Sequence, residues 1–139
     1  MKGAVARVPE AEPASGSRTT PEVDDDDACT AAAVARFSEA FDRHDVDAVM
    51  AAMTDDCVFE STAPPDGERH EGQDAVRAAW STFFRESGGA VFEAEEQIVC
   101  GNRAVVLWHY TWEDGHVRGI DVFRVRGGLV AEKVSYVKG

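Results

Sequence analysis

The chain has 139 residues, of which 44% are hydrophobic and 29% charged, as is typical of one globular domain with one core. Its formal net charge of −12 argues against a nucleic-acid partner, because binding to phosphates requires a basic surface. Three widely spaced cysteines, Cys29, Cys57 and Cys100, suit a reducing cytoplasm better than a disulfide framework or a zinc site. No stretch approaches the ~18 apolar residues of a membrane span, so no membrane association is expected.

Residues 1–26 are rich in Pro, Ser, Thr, Glu and Asp, with only scattered small apolar residues. Such a segment cannot bury enough surface to offset its ordering entropy, which predicts a flexible acidic, Pro-rich N-terminal arm. Residues 27–139 then form one folded domain. The N-terminus carries Lys2 but no apolar run of signal-peptide length, so we expect a cytoplasmic protein.

The first predicted helix begins near Asp27 or Thr30 and carries Val34, Phe37 and Phe41 at positions i, i+3 and i+7. Because these positions share one side of a helix, the spacing predicts one apolar stripe facing the core.

A second helix is predicted to begin at Asp45. The apolar residues that follow fall at i, i+3, i+4 and i+7: Val46, Val49, Met50 and Met53. Residues 54–56 end this second helix, residues 57–61 read as a short strand and residues 63–67 as a loop. A third helix runs from Gly72 to Gly88-Gly89 with an apolar inner face of Val76, Trp80, Phe83 and Phe84.

From Val91 onward the apolar residues recur at every second position, as they do in strands. Turn signals at Gly101-Asn102, Asp114-Gly115 and Gly127-Gly128 divide this region into four strands joined by three hairpins. Helices grouped on one face of an antiparallel sheet define an α+β fold.

Two-residue hairpin loops fix which residues of neighbouring strands lie opposite each other. A loop at 114–115 places Trp108 opposite Asp121, and a loop at 127–128 places Asp121 opposite Val134. The face predicted to lie under the helices contains Val106, Trp108, Tyr110, Asp121, Phe123, Val125, Val130, Val134 and Tyr136. The face predicted to lie outside, and to suit a sheet-to-sheet dimer, contains Leu107, His109, Arg118, Ile120, Val122, Arg124, Arg126, Lys133 and Ser135. A β-bulge would shift this register by one residue.

Asp121 is the principal candidate for chemistry because it is a carboxyl group on the aromatic face. A carboxylic acid in apolar surroundings is costly to ionise, so it can act as a general base or stay protonated and donate to an oxyanion. Gly119 leaves space beside it for a ligand. The alternative is that Asp121 is a structural residue tied to Tyr110, Tyr136 or a helix donor.

Glu60, at the end of the short strand, is the second candidate site residue. Alternatively, its carboxylate faces solvent at the rim of the pocket and has no role in the site. Tyr110 and Tyr136 could orient a polar substrate group or could simply satisfy their hydroxyls at the edge of the core. The four histidines lack metal-ligand spacing, and the sequence contains no Gly-rich phosphate loop, nucleophile elbow or HExxH motif. We therefore expect no cofactor and no metal.

Four stretches, in this order and spacing, resemble the nuclear transport factor two-like superfamily, and in particular its SnoaL-like (polyketide cyclase-like) branch. They are FDRHDVD at 41–47, MTDDCVF at 53–59, HEGQDAV at 70–76 and RGIDVFRV at 118–125. The resemblance covers Ala28 to Gly139 and implies a cystatin-like α+β roll. In that fold a cone-shaped, curved antiparallel sheet packs against three N-terminal helices, encloses an apolar pocket and commonly dimerises through the sheet.

Within this superfamily, the stretch around Asp121 is most similar to ketosteroid isomerases, and the resemblance assigns Asp121 to their oxyanion-hole aspartate. Ser61 stands where those enzymes have their proton-shuttling base, and Phe37 stands where they have a tyrosine. Ser135 stands where limonene-type epoxide hydrolases have an aspartate on the last strand. The resemblance therefore implies a pocket with one acid rather than one of these reactions.

The sequence thus predicts a SnoaL-like pocket protein, an acid–base enzyme of the isomerase, cyclase or hydrolase type acting on a small apolar cyclic or aromatic molecule. Asp121, Tyr110 and Tyr136 are the predicted catalytic residues. The predicted pocket residues are Phe59, Glu60, Trp80, Phe84, Trp108, Gly119 and Phe123. The alternative is a non-catalytic ligand-binding or dimeric scaffold protein of the same fold.

Overall fold

The computed structural model describes residues 26–139, so the predicted N-terminal arm lies outside the described residues except for Asp26. The elements follow in the order α1 Asp27–Asp42, α2 Val46–Ala51, β1 Met53–Glu60, β2 Arg69–Glu71, α3 Gln73–Ser87, β3 Val91–Cys100, β4 Arg103–Trp112, β5 Gly115–Arg126 and β6 Leu129–Val137. Three helices beside one curved sheet confirm the predicted α+β fold. No helix within residues 26–139 is long and apolar enough to cross a membrane.

The helix α1 begins at a side-chain cap, because the Asp26 carboxylate accepts a hydrogen bond from the Cys29 backbone N–H at 2.8 Å. This hydrogen bond lowers the pKa of Asp26. The predicted stripe of Val34, Phe37 and Phe41 is buried, as expected from its spacing. It packs on α3 and the sheet, with the Phe37 ring centroid 5.4 Å from that of Trp80 and 5.6 Å from that of Phe123.

The six strands form one sheet in the order β2-β1-β6-β5-β4-β3. All neighbours are antiparallel except β1 and β6, which run parallel. The predicted four-strand meander is present as β3 to β6. The sequence reasoning missed β2 and began β1 at residue 57. The strand begins earlier because Met53 pairs with Val130, and the Ala52 carbonyl accepts from the Val130 N–H at 2.8 Å.

The turn between β4 and β5 differs by one residue from the prediction. Trp112 pairs with Gly115, so the two-residue loop is Glu113-Asp114 rather than Asp114-Gly115. Trp108 therefore lies opposite Gly119, and Val106 lies opposite Asp121. The register moves by two residues, which changes the partners but leaves every side chain of the two strands on its predicted face.

The register between β5 and β6 changes within the hairpin. Next to the turn, Arg126 pairs with Leu129 and Val125 with Val130, as a loop at Gly127-Gly128 requires. The next pair is Arg124 with Glu132, so Ala131 is an extra residue of β6 and forms a β-bulge. Beyond this bulge every β6 side chain points to the face opposite the predicted one.

Candidate functional site

A cavity of about 770 Å³ lies between α3 and the concave face of the sheet. Its walls are largely aromatic and include Phe59, Trp80, Phe83, Phe92, Trp108, Tyr110 and Trp112. Small residues of α3, among them Ala75 and Ala79, leave the space that the rings enclose. Exposed Glu68 and Glu86 also line the cavity, which therefore opens to solvent at this end.

Three polar side chains form a cluster in this aromatic cavity: Asp121 on β5, and Lys133 and Ser135 on β6. Asp121 is only 9% exposed. The Ser135 hydroxyl donates to Asp121 Oδ1 at 2.7 Å, and Lys133 Nζ donates to Ser135 Oγ at 3.0 Å. Lys133 Nζ also lies 3.5 Å from Asp121 Oδ2. The carboxylate is therefore buried beside an ammonium and a hydroxyl rather than alone among apolar groups.

Three aromatic rings lie near the Lys133 ammonium. Lys133 Nζ lies 4.9 Å from the Phe59 ring centroid, 5.4 Å from that of Phe41 and 5.9 Å from that of Trp80. Rings at these distances attract a cation through their quadrupoles, and they also exclude water from it. The charge of Lys133 is thus balanced by Asp121 and by three ring faces.

The bulge at Ala131 brings Lys133 and Ser135 to the cavity. Their predicted place on the outer face is wrong, as is the inward place predicted for Val134 and Tyr136. Asp121 lies opposite Ser135, and the Tyr136 side chain is 56% exposed on the other face. Tyr136 therefore does not reach the cavity and cannot orient a substrate there.

Five of the predicted site residues line the large cavity: Asp121, Tyr110, Phe59, Trp80 and Trp108. Tyr110 belongs to an aromatic group near the opening, with its ring centroid 4.4 Å from that of Phe92 and 6.0 Å from that of Phe83. The structure thus places Tyr110 on the cavity wall, where it is available to a ligand.

Glu60, Phe84, Gly119 and Phe123 do not line the large cavity. Glu60 follows the inward-facing Phe59 on β1 and points to the opposite face, where its carboxylate lies 3.8 Å from Arg69. The Phe84 ring stacks on His44 with centroids 4.7 Å apart. Phe123 lines a separate small cavity of about 70 Å³ behind Asp121.

The space expected beside Gly119 is filled by the indole of Trp108. A Cβ atom on Gly119 would lie 2.5 Å from Trp108 Cζ2 and closer still to the Tyr136 carbonyl oxygen. Gly119 therefore allows Trp108 to lie flat against β5 and leaves no room for a ligand. The buried Trp108 indole N–H has no hydrogen-bond partner among the described residues.

Sequence reasoning missed Lys133, Ser135 and Asp42 as residues near the acid. Asp42 lines the small cavity at the end of α1, and burial raises its pKa. The one sequence signal for the bulge is the run Leu129-Val130-Ala131, where three consecutive apolar residues interrupt the alternation of β6. Within residues 26–139 no cluster of three or more His, Cys, Asp or Glu side chains could hold a metal ion.

The chain belongs to the family of the SnoaL-like domain, whose sequence model matches residues 34–133. This match and the structural relatives confirm the resemblance seen in the sequence. No curated protein matches the chain.

Solved structures show the same fold. An NTF2-like protein of unknown function from Mesorhizobium loti is 40% identical, with a TM-score of 0.75 over 84% of this chain and 96% of that one. A candidate ketosteroid isomerase from Kribbella flavida is 20% identical, with a TM-score of 0.71 over 83% of this chain and 82% of that one. A candidate polyketide cyclase from Sinorhizobium meliloti is 24% identical, with a TM-score of 0.65 over 74% of this chain and 92% of that one. The last two likenesses concern the fold alone.

Proposed function

We propose that this protein binds a small apolar cyclic or aromatic molecule in the 770 Å³ cavity and performs acid–base chemistry on it with Asp121. The observation that carries the proposal is a buried carboxylate, held by Ser135 and Lys133, that lines a solvent-accessible aromatic cavity. The SnoaL-like family match supplies the fold in which such a cavity forms, and the proposed chemistry rests on the cluster in the cavity.

Each member of the cluster has a distinct part in the proposed chemistry. Asp121 accepts a proton from the ligand and returns it, as a carboxylate in a dry pocket can do. Ser135 fixes the carboxylate by donating to Oδ1. Lys133 places a positive charge where a ligand oxygen that becomes anionic would be stabilised. Tyr110 takes part at the wall, as a hydroxyl that can orient a polar group of the ligand.

The chain itself supplies the probe for a binding test. Its three tryptophans, Trp80, Trp108 and Trp112, all line the cavity, so intrinsic fluorescence reports its occupancy. A neutral nitroaromatic quencher such as 4-nitroanisole should quench this fluorescence with saturation. Ala79→Phe fills the cavity from α3 and should weaken the apparent affinity at least tenfold.

Ala35→Phe is the matched control, because Ala35 is exposed on α1 away from the cavity, and it should leave the affinity unchanged. Linear quenching of equal slope in all three proteins would show that no ligand enters the cavity and would overturn the proposal. Once a substrate is known, Asp121→Asn should abolish turnover while the quencher still binds.

A non-catalytic ligand-binding protein is the second candidate function. The observation that favours it is that Asp121 is already satisfied by a hydrogen bond and an ion pair, as in a structural cluster. In that case the wild-type protein would bind the ligand without converting it, and Asp121→Asn would change only the ligand affinity.

We also propose that two copies associate through the outer face of the sheet. A row of apolar side chains crosses this face on four adjacent strands: Ile98, Val105, Val122 and Val134. Two ion pairs lie beside the row, Arg118 with Glu95 at 2.7 Å and Arg124 with Glu132 at 3.4 Å. A second copy related by a two-fold axis would bury this apolar row against its own copy.

A further inference from the structure

Lys133 is unusual among the amines of this chain because it is buried inside the cavity. The sequence has three lysines, and of the two in the described residues Lys133 is 6% exposed while Lys138 is exposed after β6. A buried ammonium carries a large desolvation cost unless it is paired. Its only polar partners in the described residues are Asp121 and Ser135.

The same enclosure makes proton transfer within the pair feasible. Lys133 Nζ and Asp121 Oδ2 are 3.5 Å apart, with three aromatic rings around the nitrogen. Because both side chains are buried, at 9% exposure for Asp121 and 6% for Lys133, moving the proton from the ammonium to the carboxylate replaces two buried charges by two neutral groups. The transfer leaves a lone pair on Lys133 Nζ, and lysine amines desolvated in apolar pockets act as nucleophiles in this way.

We propose that Lys133 forms an imine with a carbonyl ligand bound in the cavity, a neutral aromatic or cyclic aldehyde or ketone. This inference rests on the proposed function of the cavity and names the class of ligand that it takes. The exposed carboxylates Glu68 and Glu86 line the opening, so they repel a ligand that carries its own carboxylate. The aromatic wall favours a ring on the ligand.

The reaction balances with the groups present. The Lys133 nitrogen attacks the carbonyl carbon, a C–N bond forms, and the carbonyl oxygen takes the proton that Asp121 had accepted. Asp121 then removes a proton from the nitrogen and delivers it to the departing hydroxyl, which leaves as water. The product is a protonated imine beside the Asp121 carboxylate, so the site keeps the charges with which it began.

The test uses the whole protein with 2-naphthaldehyde and cyanoborohydride, which reduces an imine to a stable secondary amine. Peptide mass spectrometry then compares labelling of Lys133 with labelling of Lys138 in the same molecule. Lys133 should be labelled at least tenfold faster, and 4-nitroanisole should slow labelling of Lys133 but not of Lys138. Pyruvate, a carbonyl compound with a carboxylate, should label Lys133 more slowly than the naphthaldehyde does.

Two variants check the chemistry. Lys133→Arg keeps the positive charge but cannot form the imine, so cavity labelling should be lost while circular dichroism remains unchanged. Asp121→Asn removes the acid that protonates the carbonyl oxygen and the departing hydroxyl, so it should slow labelling of Lys133 at least tenfold without affecting Lys138.

Labelling of Lys133 no faster than that of Lys138 would overturn the inference. If 4-nitroanisole still binds with saturation in that case, the cavity remains a ligand site and Lys133 is a structural cation. If 4-nitroanisole also fails to bind, both the proposed ligand binding in the cavity and the proposed imine at Lys133 are wrong.

Discussion

Asp121 and Lys133 depend on each other for their burial. Both side chains are nearly inaccessible, at 12% and 8% side-chain exposure, and their charged atoms lie 3.5 Å apart. Removing one member of such a pair leaves the other charge buried without compensation, which costs much more than the pair itself contributes. The stability of the domain and its proposed function therefore depend on the same atoms.

Lys133→Met should destabilise the protein by roughly 3–5 kcal/mol, because the Asp121 carboxylate loses its counter-ion. Urea denaturation followed by circular dichroism measures this loss. Adding Asp121→Asn to Lys133→Met should recover part of the stability, since the buried charge is then gone. The control is Arg124→Met, which breaks the exposed pair with Glu132 and should cost less than about 1 kcal/mol. Equal losses in Lys133→Met and Arg124→Met would contradict the ion pair described for the cavity.

Gly119→Ala should destabilise the domain by about 1–3 kcal/mol, because the new methyl group overlaps the Trp108 ring and the Tyr136 carbonyl oxygen. Thermal unfolding measures this change. Gly89→Ala is the matched control, since a Cβ atom there meets nothing within 4 Å. A wild-type melting temperature in Gly119→Ala would show that Trp108 and β5 are further apart than described.

At the level of elements, the Gln73 side chain connects α3 with α2 and β1. Gln73, the first residue of α3, points its amide nitrogen at the carbonyl oxygens of Met50, Met53 and Thr54, at 3.2, 3.4 and 3.0 Å. These carbonyls belong to the end of α2 and the start of β1. The amide thus fixes where α3 begins relative to the strand that carries Phe59.

Gln73→Met keeps a similar length but cannot donate, and it leaves these carbonyls without their donor. We expect a loss of about 1–3 kcal/mol in the free energy of unfolding, measured with urea. Arg85→Met, on the exposed side of the same helix, should change the stability by less than about 0.5 kcal/mol. Similar values for the two variants would show that the Gln73 amide has no structural role.

The helices and most strands followed from the sequence because their apolar residues repeat with the period of the element. Val34, Phe37 and Phe41 lie on one helix face and are buried together. The facing of the β6 side chains did not follow, because Val134 and Tyr136 alternate with Lys133 and Ser135 as if the apolar pair faced inward. The bulge at Ala131 reverses this order. The apolar run at 129–131 marks a break in the alternation, but pairing with β1 and β5 decides which residue is the extra one, so Asp121 was found while its two partners were not.

At the level of the whole molecule, Val122→Lys should prevent the proposed association of two copies. Val122 lies at the centre of the apolar row on the outer face, paired with Val105 and Val134. A lysine there would bury a charge at the interface, so sedimentation should show a dimer for the wild type and a monomer for the variant. Ala35→Lys, on exposed α1, should remain dimeric. A monomeric wild type at tens of micromolar would contradict the proposed assembly.

The order of strands has a consequence for how the protein is made. β6 lies between β1 and β5, so a strand synthesised after all the others occupies the middle of the sheet. Until β6 leaves the ribosome, β1 can pair only with β2 and β5 only with β4, and the pairing that completes the sheet joins residues about 75 positions apart. The ammonium and hydroxyl that hold Asp121 arrive on this same strand. Before β6 inserts, a growing chain therefore carries an unfinished sheet and lacks part of the cluster proposed as its site, and interruption of translation shortly before that point would leave two exposed strand edges prone to aggregation.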